Sequence, residues 1–470
     1  MNFNGNKNLA LPKRGRRIHF VGIGGAGMGG IAEVMHRIGY AVSGSDLHKN
    51  SMTRRLMDVG IRVRIGHHPE HVHGCDVVVI SSAVTEANPE VKTARALGLP
   101  IIPRAEMLGE LMRFRQGIAI AGTHGKTTTT SLIACLLAEG GLDPTFVIGG
   151  QLNSVGTHAG LGTGEYLVAE ADESDASFLY LNPVMAVVTN IDADHIRTYH
   201  SDFNQLRQTF VDFLQQLPFY GFAVLCIDDP VIQAILPQLT KPMITYGLST
   251  EAHICATNIQ QKQGQTYFEV LFDQSPWLQI TLNLPGKYNV QNALAAIAVA
   301  HEVGVSGPAI SRALSGFSGI GRRFQMQTIP IASGEILHID DYGHHPYEIA
   351  AVLQAIEDGW PSRRLIVAFQ PHRYTRTQDL FEDFVQILAT VQILLLLDIY
   401  PAGETPIAGV DGETLCQAIR AKGQTELQFV AQPEQLPHQL QPLLQDQDIL
   451  LTLGAGSIGA VAATLANHLK

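Results

Sequence analysis

The segment GIAIAGTHGKTTTT, at 117 to 130, restricts the possible folds more than any other stretch of the chain. An apolar run of strand character enters a glycine-rich turn, and the turn opens directly into a helical pattern. A strand that feeds a helix through so short a turn implies a parallel sheet, because the helix must carry the chain back across the sheet before the next strand begins. The same residues define a chemistry. Glycines let backbone amides close around an anion, and the helix N-terminus adds partial positive charge. In such a loop Lys126 reaches the β and γ phosphates of a nucleotide, and the Thr127 hydroxyl sits on magnesium. The general spacing G-x-x-x-x-G-K-[ST] would place glycine at position 120, where Ile120 stands, so the loop is a shortened form. The strand before it and the threonines after it favour a phosphate loop over an ordinary turn carrying a surface lysine.

A nucleotide triphosphate needs carboxylates near its γ-phosphate to hold a hard cation. Glu170, Asp172, Glu173 and Asp175 crowd the end of the apolar run YLVA, and Asp192, Asp194 and His195 follow the run MAVV. Like charges this close repel unless a metal or a cationic side chain joins them. Any one of them alone reads as a solvated loop carboxylate or helix cap. Two clusters ending two strands beside a phosphate loop point to a metal.

Alternating strands and helices recur along most of the chain. RIHFVGI (17 to 23), YAVSGSD and DVVVISSAV (76 to 84) read as strands, with helices near 51 to 59 and 89 to 97. ATNIQQKQGQTYFEVLFDQ alternates as antiparallel strands about a turn, and NVQNALAAIAVAHEVG is a helix. EILHIDDY, RRLIVAFQ, ILLLLDIY and ILLTLG begin a further strand-helix series. GIGGAG at 22 to 27 fits G-x-G-x-x-G with Asp46 about 20 residues on, which by itself suggests a dinucleotide. LGAGSIG repeats the pattern at Gly454, Gly456 and Gly459. The first match is therefore read only as a diphosphate loop and the second as a tight strand-helix turn. DDYGHHP (340 to 346) and QPHRYTR (370 to 376) follow strands and gather His344, His345, His372, Arg373 and Arg376 with Tyr342 and Tyr374, while GRRF adds Arg322 and Arg323. Arginine binds carboxylate or phosphate bidentately, and histidine accepts a proton near neutral pH.

At 470 residues the prior is about three domains. A net charge of −11 argues against a general nucleic-acid or acidic-membrane binder. Cys75, Cys135, Cys226, Cys255 and Cys416 are widely spaced and odd in number, so neither a disulfide framework nor a zinc site is expected and a reducing cytoplasm fits. No apolar run approaches a membrane span.

Taken in order, GIGGAGMGGIAEV, SGSD, SSAV, AGTHGKTTTT, EADESDASF, TNIDADH, GKYNVQNA, GRRF, DDYGHHP and QPHRYTRT closely resemble the Mur ligases, and within them the branch that adds the first amino acid in peptidoglycan synthesis. The resemblance covers about 17 to 460. It implies an α/β protein of three domains. These are a Rossmann-like UDP-substrate domain (1–112), a central P-loop-type ATPase domain with a parallel sheet plus a small antiparallel sheet (113–327), and a Rossmann-like C-terminal domain (328–470) that binds the amino acid and closes over the nucleotide. It implies ATP and Mg2+ as cofactors, UDP-N-acetylmuramate and L-alanine as substrates, and a cytoplasmic monomer or weak homodimer without nucleic-acid or membrane partners. Its product would serve cell-wall biogenesis, and through it cell shape, division and the cell cycle. A neighbouring branch, which attaches a whole tripeptide to the same UDP-sugar, shares GTHGKTTT and DD-x-x-HHP but lacks QPHRYTR.

By position, the resemblance assigns Gly122, Thr123, His124, Gly125, Lys126, Thr127 and Thr128 to the ATP phosphates. Asn289 and Asn292 would meet adenine, Asp341 the ribose, and Arg323 the phosphates or the lactyl carboxylate. Thr127 and Glu170 resemble ligands of a first magnesium and His195 of a second. Gly24, Gly25, Ala26, Gly27 and Met28, with Asp46, Ser81, Ser82 and Ala83, would bind the UDP end. His124 and Asn190 would lie along the muramyl group, and Glu173 and Ser174 would join the UDP-substrate site. Lys126, His344, His372, Arg373 and Tyr342 form the expected catalytic set. No lysine occurs between Lys126 and Lys241, so the carbamylated lysine that several sister ligases place at the second magnesium has no counterpart.

Overall fold

Apolar runs that end in glycine, acid or histidine form the interior strands of three sheets. In the computed structural model the described residues are 16–81, 83–154, 156–194, 196–200, 202–423 and 426–469.

The first sheet contains β1 (Arg17–Val21), β2 (Ala41–Asp46), β3 (Arg62–Ile65), β4 (Val77–Ile80) and β5 (Ile101–Pro103), in the order β3-β2-β1-β4-β5. Every pairing in it is parallel. Helices α1 (Ala26–Arg37), α2 (Ser51–Asp58), α3 (Pro89–Ala96) and α4 (Arg104–Met112) make the crossovers. Asn50 caps α2 reciprocally with Thr53, which fixes where that helix starts. The strand order reverses between β1 and β4, where a crevice opens beyond the carboxyl ends of parallel strands.

The second sheet runs β15-β14-β13-β12-β11-β10-β6-β9-β7-β8. Its strands are β6 (Gln116–Ala121), β7 (Thr145–Leu152), β8 (Thr157–Gly160), β9 (Tyr166–Glu170), β10 (Met185–Val188), β11 (Phe222–Cys226), β12 (Met243–Gly247), β13 (Ile254–Lys262), β14 (Gln265–Phe272) and β15 (Ser275–Leu282). From β12 to β7 the pairings are parallel, and β8 runs antiparallel on β7. Helices α5 (Lys126–Glu139), α6 (Phe203–Gln215), α7 (Pro230–Ile235), α8 (Lys287–Glu302) and α9 (Gly307–Ser315) accompany it. The four threonines that open α5 are buried. Thr130 and Ser131 return their hydroxyls to the carbonyls of Lys126 and Thr127, both at 2.8 Å, so neither hydroxyl is left unpaired inside the protein.

The third sheet orders β16 (Gln325–Ile331), β17 (Gly334–Asp341), β18 (Leu365–Phe369), β19 (Ile393–Leu397), β20 (Leu427–Val430) and β21 (Ile449–Leu453) as β16-β17-β21-β18-β19-β20. Only β16 is antiparallel to its neighbour. Alternation places Val367 and Phe369 in one apolar cluster and Ile366 and Ala368 in another, so both faces are covered. Helices α10 (Pro346–Gly359) and α11 (Tyr374–Asp379) follow β17 and β18.

The chain divides into two compact units. One holds residues through Asn258 with Phe268–Ile280 and Gln291–Phe317; the other holds Ile259–Tyr267, Thr281–Val290 and Ser318–Lys470. The division passes within β13, β14, β15 and α8.

Candidate active site

In the first unit, β6 delivers the chain into the loop 122 to 125. Gly122 and Gly125 have φ of 126° and 82°. A Cβ on Gly122 would lie 2.1 Å from Thr189 Oγ1, and one on Gly125 would lie 2.5 Å from Asn292 Oδ1. Conformation and space both demand glycine at these two positions. Asn190 clamps His124 through its backbone: its Oδ1 accepts from the amide at 2.8 Å and its Nδ2 donates to the carbonyl at 3.0 Å. The Thr189 hydroxyl donates to the same carbonyl at 2.6 Å. The Thr123 hydroxyl accepts from the Asp192 amide at 2.9 Å, and His124 Nε2 lies 3.4 Å from Asp192 Oδ2. Gly125 caps α5 without a side-chain bond, which leaves the first-turn amides directed at whatever anion enters.

Lys126 Nζ donates to the carbonyls of Gly122 and Thr123 at 2.5 and 3.0 Å, and to Glu173 Oε1 at 2.9 Å. Burial pulls this ammonium down, but Glu173, Asp172 and Glu170 outweigh it, so the pKa rises and Lys126 stays charged. Burial pushes the Glu173 carboxyl up, Lys126 pulls it back, and Asp172 raises it further. Glu170 accepts from the Gly149 amide at 2.7 Å, and Asp172 accepts from the Ser174 hydroxyl at the same distance. Thr127 and Thr128 are buried at the base of the loop. The carboxylates of Glu173, Asp172 and Glu170, which act together on the Lys126 ammonium, are hard oxygen donors of the kind a divalent cation takes beside a polyphosphate. His195 lies outside the described residues.

At the first sheet's switch point, the Gly24 amide donates to Asp46 Oδ2 at 2.8 Å, and Asn50 Nδ2 donates to the Gly24 carbonyl at 3.1 Å. Asp46 thus holds the glycine loop itself. Gly25 caps α1 without a side-chain bond, and Ala26, Gly27 and Met28 form its first turn. Ser81 Oγ, at the end of β4, lies 3.1 Å from where a Gly22 Cβ would stand, and Ala83 is exposed just beyond. Ser82 is outside the described residues. A Cβ on Gly27 would meet Arg104 Nη1 at 2.7 Å, and Arg104 Nη2 lies 3.0 Å from Asp172 Oδ2. Arg104 therefore touches both the glycine loop and the acidic strand end. The sequence reading missed it; its one signal is the Pro103–Arg104 pair that opens α4.

The second unit gathers the remaining residues. Asp341 accepts from the amides of Phe324 and Gly343, both at 2.7 Å. Burial pushes its carboxyl up to about 6, against the pull of Arg323. Arg322 and Arg323 lie over the Tyr342 ring, at 5.3 and 5.2 Å from its centroid. His344 Nδ1 is 3.1 Å from the Tyr342 carbonyl, and its ring stands 5.8 Å from that of His372. His372 stacks on Tyr400 and has Arg376 Nη1 3.4 Å from its Nδ1. Burial, opposed by Glu348, takes His344 down to about 3. Burial, then Arg376 and Arg373, take His372 down to about 4. Both imidazoles are thus free bases at neutral pH. Arg373 adopts φ 74°, with Glu404 3.9 Å from its guanidinium. Asn289, on α8, donates to the Pro285 carbonyl at 2.7 Å. Asn292, one turn on, belongs to the first unit and accepts from Thr129 Oγ1 at 3.2 Å. Glu348, Tyr400 and Glu404 went unread in the sequence. Only Glu348 carried a local signal, as the residue that completes the capping box of α10.

The profile of the Mur ligase middle domain matches residues 120–300, beginning inside β6 and spanning the loop just described. Two further profiles, described as the Mur ligase family catalytic domain and the Mur ligase glutamate ligase domain, match 17–116 and 322–456. The chain belongs to the Mur ligase family. Membership of the Mur ligases makes the protein an ATP-dependent ligase of peptidoglycan synthesis that forms an amide with an amino acid. The UDP-N-acetylmuramate–alanine ligase of Thermotoga maritima is similar at 26% identity and a TM-score of 0.83, over 96% of this chain and 98% of that one. A murein peptide ligase of Psychrobacter arcticus shares the fold at 24% identity and a TM-score of 0.70, over 97% and 98%. The UDP-N-acetylmuramate:L-alanyl-γ-D-glutamyl-meso-diaminopimelate ligase of Neisseria meningitides is 30% identical over 65% of this chain and 99% of that one, with a TM-score of 0.60. Among the described residues no helix is long and apolar enough to cross a membrane.

Proposed function

We propose that this Mur ligase joins L-alanine to the lactyl carboxylate of UDP-N-acetylmuramate, with ATP converted to ADP and phosphate. The observation that carries the chemistry is Lys126, held by two loop carbonyls and Glu173 at the first turn of α5. A carboxylate is a poor electrophile until one of its oxygens becomes part of a good leaving group. Transfer of the γ-phosphoryl group to the lactyl oxygen supplies that group and releases ADP. The alanine amine then adds to the acyl carbon, the carbon–oxygen bond breaks, and phosphate departs. Charge accumulates on phosphoryl oxygens in both steps, and Lys126 with the α5 amides is placed to offset it. Thr127 and Glu170, with Asp172 and Glu173 beside them, would hold Mg2+, which when bound draws negative charge off the phosphates.

The amine must arrive uncharged. The uncharged imidazoles of His344 and His372 are suited to accept hydrogen bonds from that amine and orient it, while Arg373 and Arg376 suit its carboxylate. Alanine as the substrate is supported by the QPHRYTR loop and by the 26% identity to the Thermotoga alanine ligase across 96% of the chain. The second reading, addition of a tripeptide, draws on the 30% identity to the Neisseria ligase. Purified protein given ATP, Mg2+ and UDP-N-acetylmuramate is expected to release phosphate only when L-alanine is added. Release that instead requires L-alanyl-γ-D-glutamyl-meso-diaminopimelate would replace the first reading with the second.

A further inference from the structure

Within the first sheet, away from the glycine loop, three histidines and a glutamate converge. Glu90, on α3, is fully buried. It accepts from Ser45 Oγ at 2.5 Å, and its oxygens lie 2.5 Å from His71 Nδ1 and 3.1 Å from His67 Nδ1. His19, the middle residue of β1, is 1% exposed. Its Nδ1 pairs with Ser43 Oγ at 2.9 Å, while its Nε2 has no hydrogen-bond partner. That nitrogen stands 3.8 Å from Glu90 Oε2, too far for a hydrogen bond. One donor atom each from His19, His71 and Glu90 falls within 4.8 Å of the other two. Two ligands sharing one zinc at bond lengths of about 2.0–2.1 Å stand about 3.3 Å apart, so small side-chain adjustments would close the set around one ion.

The burial favours an occupant: Glu90 is fully enclosed, and the His19 Nε2 beside it has no hydrogen-bond partner. A buried carboxylate is costly unless a positive charge meets it. An open cavity of about 400 Å³ beside the cluster gives access. Arg17, Arg62 and Arg64 also line that cavity, together with Glu70, His73 and Cys75. The guanidinium groups repel a weakly held cation, so only an ion that gains from imidazole coordination would be retained.

We propose that His19 Nε2, His71 and Glu90 form a structural site for a divalent transition ion of the zinc class. The ion would tie β1, α3 and the 69–72 turn together. It would take no part in phosphoryl transfer.

The full-length protein, stripped of metal and kept in excess Mg2+ to occupy oxygen-rich sites, is titrated with Co2+ in the visible range. One equivalent is expected to produce the d–d absorption of four-coordinate cobalt, and Zn2+ is expected to abolish it. H19Q and H71Q should each weaken Co2+ binding at least about tenfold while Mg2+-dependent phosphate release persists. If H19Q does not fold, H71Q carries the test, because its ring lies at the cavity edge. Lys126→Ala should leave the band intact. The proposal is overturned if the wild-type protein gives no band, if both histidine variants bind Co2+ like the wild type, or if Lys126→Ala removes the signal.

Discussion

Lys126 and Glu173 form a buried pair, and each matters to the other's charge state. Removing the lysine leaves Glu173 between Asp172 and the protein interior, so Glu173 would take up a proton. Lys126→Ala is therefore expected to cut the rate of phosphate release by at least about 100-fold, with a fold that survives because the remaining carboxylate can become neutral. Turnover measured beside a thermal melt checks this. Near-normal turnover in the variant would remove the phosphate-loop reading. The histidines give a pH prediction of definite sign. His344, His372 and His338 all have folded pKa values below the unfolded value of 6.5, at about 3, 4 and 4. The unfolded chain binds more protons between those limits, so stability rises with pH across that window. The stability these groups contribute is complete above the unfolded value and is lost as pH falls towards 4. Denaturant midpoints for the wild type and for a His338→Gln variant, between pH values of about 4 and 7, should converge on the acid side.

Elements were legible where local chemistry alone selects them. The β6 run IAIA, the threonines of α5 and the β19 run ILLLL announce buried parallel strands and a helix start, because both faces are covered and no alternation is needed. β7, β8, β11, β12 and β20 escaped the sequence reading, since their runs are short, mixed, or depend on a neighbour for burial. The site followed the same rule. Lys126, Glu170 and the loop glycines stood out in the sequence, whereas Arg104, Tyr400 and Glu404 become significant only once a fold brings them to a distant loop. Asn190 and Asp46 were assigned to ligand, and in the structure they also hold the His124 and Gly24 backbones. At the N-cap of α11, Arg373 sits at φ 74°, a region that costs a non-glycine residue of order 1 kcal/mol. Its guanidinium lies 3.9 Å from Glu404. Arg373→Gly should relieve the strain and leave the melting temperature unchanged or raised, while the KM for the amino acid rises about tenfold or more. A fall in stability with the KM unaltered would instead make Arg373 a packing residue.

At the scale of the molecule, three sheets each present a glycine, acid or histidine at the carboxyl ends of parallel strands, and this repeated geometry puts the chemistry where it is. The extent of each domain is a separate matter. Placing the third domain at 328–470 would cut β16, which spans Gln325–Ile331 and pairs Gln325, Met326 and Gln327 with Asp340, Ile339 and His338. We propose that this domain begins before Gln325 and draws support from upstream residues of the same compact unit. Gln261 Nε2 donates to the Ala355 carbonyl at 2.7 Å, its Oε1 accepts from the Gly286 amide at 2.9 Å, and Tyr288 packs on the apolar cluster of Phe369 and Phe384. A fragment of residues 328–470 loses the first turn of its edge pairing and uncovers β17 beside the Asp341 site. It is expected to unfold without a cooperative transition. In the full chain, Tyr288→Ala should cost about 2 kcal/mol, less than the penalty for a wholly buried aromatic because the ring is only partly buried, and should lower the melting temperature accordingly. A fragment of 328–470 that melts as cooperatively as the intact protein, together with a neutral Tyr288→Ala, would show that the third sheet is self-sufficient and that the 259–267 and 281–290 segments lend it nothing.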